Sequence, residues 1–172
     1  MKRTITFALI SYVICAAIPF SILAQSGPGT GREALARELQ NAWLPLESGM
    51  VVSRREGTPI SAKYEVDDGT FQLSVYTLKG DKFSEVIVDY SVGSVTKVDV
   101  ITDGGDLAAA QSQKETMARA TRSLEAATAE VVRTNPGYRA VSALPRLNEG
   151  RPIVEVVLVN GTDWRVALGS LD

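Results

Sequence analysis

The sequence predicts an α+β protein: two repeats of one helix packed on an antiparallel β-meander, four strands in the first repeat and three in the second. Three observations predict this. Two halves of the chain fall into register, without a gap, at an offset of 81 residues. Each half opens with apolar residues at helical spacing. Each then continues with alternating apolar and polar residues broken by turn-forming Gly, Asp and Asn.

The N-terminal segment stands outside that plan. Lys2 and Arg3 precede an almost wholly apolar run from Ile5 to Leu23, and Ala24-Gln25-Ser26 supplies small residues. That is the layout of an export signal over residues 1–24, cleaved after Ala24 or after Ser26, with Ala24 preferred. The run approaches the ~20 residues that span a bilayer, so an uncleaved membrane anchor is the alternative. Pro19 near its end favours cleavage. Cys15 follows Ile14, where a lipid-attachment site needs a small residue. It is the only cysteine, so processing would leave a chain without thiol or disulfide. Roughly 145 residues remain, enough for a true hydrophobic core.

Residues 25–31, with Gly27-Pro28-Gly29-Thr30-Gly31, read as a flexible leader. The first repeat is placed at 32–102. Ala36, Leu39, Trp43, Leu46 and Met50 are spaced 3, 4, 3, 4 and so share one helix face. Thr30 and Glu33 match a capping box. Pro45 removes a helical N–H and clashes with the preceding turn, so this helix should stop or bend near Trp43. Ile60, Ala62, Tyr64 and Val66 then alternate with polar residues. Asp67-Asp68-Gly69 supplies a tight hairpin, because Asp and Gly tolerate positive φ. A second strand runs to Lys79-Gly80-Asp81, a third from Phe83 to Tyr90, and a fourth from Ser94 to Thr102.

Residues 103–111 are expected to link the halves and begin a helix, and 112–172 form the second repeat. Met117, Ala120, Leu124, Ala127 and Val131 repeat the earlier helical stripe, behind a second capping box at Ser112 and Glu115. This helix is expected to run unbroken to Asn135-Pro136-Gly137. ISAKYEVDDG at 60–69 lies over VSALPRLNEG at 141–150, and FQLSVYTLKGDKF at 71–83 over PIVEVVLVNGTDW at 152–164. Ser61, Ala62, Gly69, Val75 and Gly80 are identical to Ser142, Ala143, Gly150, Val156 and Gly161.

Within the first repeat, Val88-Asp89-Tyr90-Ser91-Val92-Gly93-Ser94-Val95 closes a helix and hairpin with V-D-x-x-x-G-x-V. That arrangement resembles the PepSY domain, a module of exported bacterial proteins and of metallopeptidase propeptides. The resemblance covers about residues 33–101, and 112–169 only through the internal repeat, where Ala167-Leu168-Gly169 lacks the Asp and the final Gly. It implies an exported, non-enzymatic module that binds, and restrains or tunes, a peptidase or another exported or envelope protein. It carries over no catalytic, cofactor-binding or metal-binding residue. Asp89 and Gly93 have a turn role: the carboxylate can accept N–H groups two or three residues on, and Gly93 can adopt positive φ.

The residue inventory narrows the chemistry. Without histidine there is no imidazole base and no Ser-His-Asp triad. No phosphate-binding glycine motif occurs. Removing Lys2 and Arg3 takes the 18 basic residues to 16 against 20 acidic, and the net charge from −2 to −4, which argues against nucleic acid. Asp99, Asp103 and Asp106 do not have EF-hand spacing; they read as a strand end, a Gly-Gly linker and a helix cap at Asp106. Asp67-Asp68 is explained by its hairpin. Trp43 and Trp164 are assigned to the core, and Arg54-Arg55-Glu56 to a solvated loop. The binding surface is expected on the open sheet face or the hairpin tips. A small-molecule or lipid carrier is the rival, and it needs a pocket of several hundred Å³.

Overall fold

The computed structural model describes residues 30–172. The proposed signal, its cleavage point and most of the leader lie outside the described residues. Four helices and seven strands follow in the order α1 (Thr30–Leu39), α2 (Leu46–Ser53), β1 (Thr58–Asp67), β2 (Thr70–Lys79), β3 (Lys82–Asp89), β4 (Ser94–Ile101), α3 (Gly104–Met117), α4 (Leu124–Arg133), β5 (Arg139–Asn148), β6 (Arg151–Asn160) and β7 (Asp163–Ser170). The strands form one antiparallel sheet in the order β4-β3-β2-β1-β5-β6-β7. The two meanders are therefore not separate bodies. They join where β1 pairs β5, at Ala62↔Ala143 and Lys63↔Ser142.

Turn chemistry sets the strand ends. Asp68 and Gly69 both have positive φ, 45° and 77°, as a two-residue hairpin loop requires. Glu149 and Gly150 repeat this at 50° and 82°. Each inner strand carries an irregularity at the matching place, between Pro59 and Ser61 and between Ala140 and Ser142.

A single row of side chains crosses the sheet: Val98, Val86, Val75, Ala62, Ala143, Val156 and Ala167. Its central members are buried, because α2 and α4 lie over this face. Leu46 and Met50 of α2 and Leu124, Ala127 and Val131 of α4 join the same core as Leu73, Val75, Val154 and Val156. A smaller cluster gathers Leu107, Ala110 and Met117 of α3 against Ile60, Tyr76, Leu78, Phe83 and Ile101.

The helices correct the sequence reading, which put one helix in each half. The first stripe is broken after Leu39, and residues 41–46 alternate exposed and buried, the period of an extended segment. Ala42, Leu44 and Leu46 point inward, and Leu44 N–H donates to Tyr90 O at 2.9 Å. Trp43 therefore falls on the outer side and is 73% exposed, contrary to its assignment to the core. The second stripe is broken at 118–123, where Thr121 and Arg122 N–H both donate to the Leu171 carbonyl (2.8 and 3.0 Å). Ser123 restarts the helix, its hydroxyl accepting from Ala126 N–H. The expected capping box at Ser112 lies inside α3. Asp103, not Asp106, holds the N-cap position of α3, and Asp106 sits in its first turn, where a carboxylate suits the helix dipole.

Candidate functional site: the uncovered sheet face

Alternation along each strand sends a second row to the opposite face: Lys97, Ile87, Ser74, Lys63, Ser142, Val157 and Val166. Leu144, Glu155 and Leu168 form the neighbouring row in the second half. α3 covers part of this face: it lies against β1 and β5, packs on Tyr76, Leu78 and Phe83, and accepts a bond from the buried Ser61 hydroxyl at Gln113 (2.8 Å). At the far end Arg32 of α1 lies 5.8 Å over the Trp164 ring. Trp164 is half-buried against the core, in keeping with its core assignment. Between these helices the floor is formed by strand side chains.

The two halves of the floor differ chemically. Over β1 and β2 it is polar: Lys63 pairs with Glu65 at 2.5 Å, and Ser74 donates to Glu65 (2.8 Å) while accepting from Gln72 (3.1 Å). Over β5–β7 it is apolar. Val166 and Leu168 are 58% and 59% exposed, beside half-buried Leu144, Ile153 and Val157. Arg146 and Glu155 pair at 3.3 Å within it. The face thus sets an aliphatic half over β5–β7 beside a polar half over β1 and β2.

The other sequence candidates have structural occupations. Asp89 Oδ1 accepts from Ser91 N–H (2.8 Å), Ser91 Oγ (2.5 Å) and Val92 N–H (3.2 Å). The Ser91 hydroxyl, then the Ser91 and Val92 amides, hold this exposed carboxyl below its ordinary range. Gly93 has φ 70°. The turn contribution of Asp89 should thus be present above the unfolded carboxylate range and lost as pH falls through its depressed folded pKa. Thermal melts of wild type and Asp89→Asn between neutral and strongly acidic pH check this. The two curves should be separated at neutral pH and converge in acid, and parallel curves would contradict it.

Asp99 pairs with Lys97 at 2.7 Å, and Asp67 and Asp68 are exposed at their hairpin. Among the described residues no three carboxylates come together as a metal cage. Arg54 is exposed in the turn after α2, as expected of a solvated loop, and its guanidinium also pairs with Glu125 of α4, a carboxylate whose side chain is 7% exposed. Sequence reading missed this pair, because nothing local marks a contact across 71 positions. A cleft of about 120 Å³ lies between Ala36 and Leu39 of α1, Gln40 just after it, and Arg139, Val159 and Asn160. That is well below the several hundred Å³ of a small-molecule site.

Comparison with family models, curated proteins and solved structures finds no match for this chain. Among the described residues no helix is long and apolar enough to cross a membrane.

Proposed function

We propose that the chain is an exported, non-enzymatic binding module of two PepSY-like repeats that engages, and modulates or inhibits, a peptidase or another exported or envelope protein. The repeat reading rests on strand bounds, hairpin φ signs and strand irregularities that recur at one offset in the two halves. Export rests on the N-terminal charge and hydropathy pattern. The observation that carries the binding reading is the aliphatic floor of β5–β7, with Val166 and Leu168 more than half exposed. Val166 and Leu168 lie on the edge strand β7, continuous with Leu144, Ile153 and Val157, so charging them puts ions on the apolar floor that a partner would have to desolvate.

The test is a pull-down from the producing cell's envelope fraction with wild-type protein and with the double variant Val166→Glu, Leu168→Glu. The captured partner should bind the variant at least about tenfold more weakly, with an unchanged melting curve. A partner retained equally by both proteins would move the interface elsewhere. Multiple-turnover hydrolysis that co-purifies with the protein and disappears with one carboxylate substitution would replace the binding reading with an enzymatic one.

A further inference from the structure

We propose that the protein self-associates through β4, which pairs antiparallel with β4 of a second copy and extends the sheet across a two-fold axis at Val98. β4 is a sheet edge. An open edge is a template for another strand, and proteins usually guard it with an unmatched charge. Here the guard is cancelled: Lys97 pairs with Asp99 two residues on, on the same side of the strand, at 2.7 Å. The middle of the edge therefore carries no net charge.

The same spacing makes the strand self-complementary. With Val98 opposite Val98 of the second copy, Lys97 faces Asp99 and Asp99 faces Lys97, so four charges alternate in sign on one face. On the other face Val98 meets Val98, and Val100 meets Thr96. Val98 and Val100 are 42% and 60% exposed, on the side that α2 and α4 cover nearer the sheet centre. The pairing would remove these valines from water. A two-fold contact of this kind closes on itself, so it stops at a dimer.

The other edge is less suited. In β7 the charged residues Asp163 and Arg165 sit at the start of the strand, against Tyr138, so a two-fold axis through its middle would not set them opposite each other. The irregularity between Ile87 and Val88 in the β3–β4 ladder falls at Thr96, to one side of the crossing, and shortens the regular contact. The dimer is therefore expected to be weak and concentration-dependent, at the small end of specific interfaces.

Sedimentation of the purified protein over a concentration series should show a monomer–dimer equilibrium. Lys97→Asp and Asp99→Lys, made separately, each place two like-charge pairs across the axis and should weaken the dimer about tenfold. Mixing the two variants should restore association, because each then meets its complement. Val98→Lys should abolish it, and Val166→Glu with Leu168→Glu should leave it intact, which separates this contact from the proposed partner surface. Both charged side chains are substantially exposed, 66% and 48%, so melting curves should not move much. A monomer at every concentration would overturn the proposal. So would a dimer indifferent to the charge variants, a mixture that stays monomeric, or open-ended polymers of the kind a β4–β7 contact would build.

Discussion

Replacing Gly169 with valine is expected to destabilise the protein by about 3 kcal/mol, the upper end of the range for overpacking a close-packed interior. Gly169 pairs with Val154 on the helix-covered face of β7. A Cβ there would lie 2.6 Å from Val131 Cγ2 and 3.0 Å from Val154 Cγ1, with the Ala127 carbonyl at 3.5 Å. Val131 and Ala127 belong to α4, so the missing side chain is what lets that helix settle on the strand. The sign of the effect is diagnostic. On an open strand valine should stabilise relative to glycine, through propensity worth up to ~1 kcal/mol. Chemical denaturation measures the difference, and Gly169→Ala should give a smaller loss in the same direction. A valine variant as stable as wild type would mean that α4 does not approach β7 this closely.

Arg139→Met is expected to cost a similar amount, about 3 kcal/mol, by a different route. The guanidinium donates to three carbonyls of the first segment: Leu39 (2.6 Å), Ala42 (2.7 Å) and Leu44 (3.4 Å). Leu39 ends α1, so Arg139 gathers carbonyls where regular helical bonding stops, although the Leu39 carbonyl also accepts from Ala42 N–H (3.2 Å). Charged hydrogen bonds contribute about 1.5–3 kcal/mol each, and they act here as one unit rather than additively. Methionine keeps the apolar stem and removes only the donors. Tyr64 adds a fourth bond, its hydroxyl donating to Leu44 O at 2.5 Å; burial pushes that phenol far above its usual range, while the Arg139 charge opposes the shift. With Arg139 gone, residues 30–44 should become the first site of limited proteolysis, and Arg139→Lys should recover only part of the loss because it lacks the planar fork. A variant with wild-type stability and proteolytic pattern would show that the guanidinium does not hold α1.

The extent to which each element was legible followed the range of the interaction that makes it. Asp68 and Gly69, Glu149 and Gly150, and the glycines at 80 and 161 act through their own backbone dihedrals, which depend on the residue itself. The strand ends they define could therefore be placed from the chain alone. The Asp89 turn belongs to the same class, since donors and acceptor lie within three residues. Pro45 signalled an interruption near Trp43, but α1 already ends at Leu39 and the chain restarts as a separate helix at Leu46.

The break at 118–123 has no such local marker. It is held by the carbonyl of Leu171, roughly fifty positions away in sequence, which intercepts the Thr121 and Arg122 amides. The apolar stripe from Met117 to Val131 looked continuous because periodicity reports which residues are buried, not whether the chain between them stays helical. Trp43 failed for the related reason that a two-residue period had replaced the helical one. The candidate surface lay between these extremes. An open antiparallel face was implied by alternation, but its division into a polar and an aliphatic half depends on β1 pairing with β5.

Local chain chemistry thus determined the strands, their turns and the α+β class, because dihedral preferences and alternation need only near neighbours. Tertiary structure decided that the meanders merge into one sheet, that each helical stripe is split in two, that Arg54 meets Glu125 and Arg139 meets the end of α1, and which edges and aliphatic side chains remain open. Those outcomes turn on buried hydrogen-bond acceptors and charges finding partners far along the chain, and the cost of leaving such groups unpaired is set only once the core has closed around them.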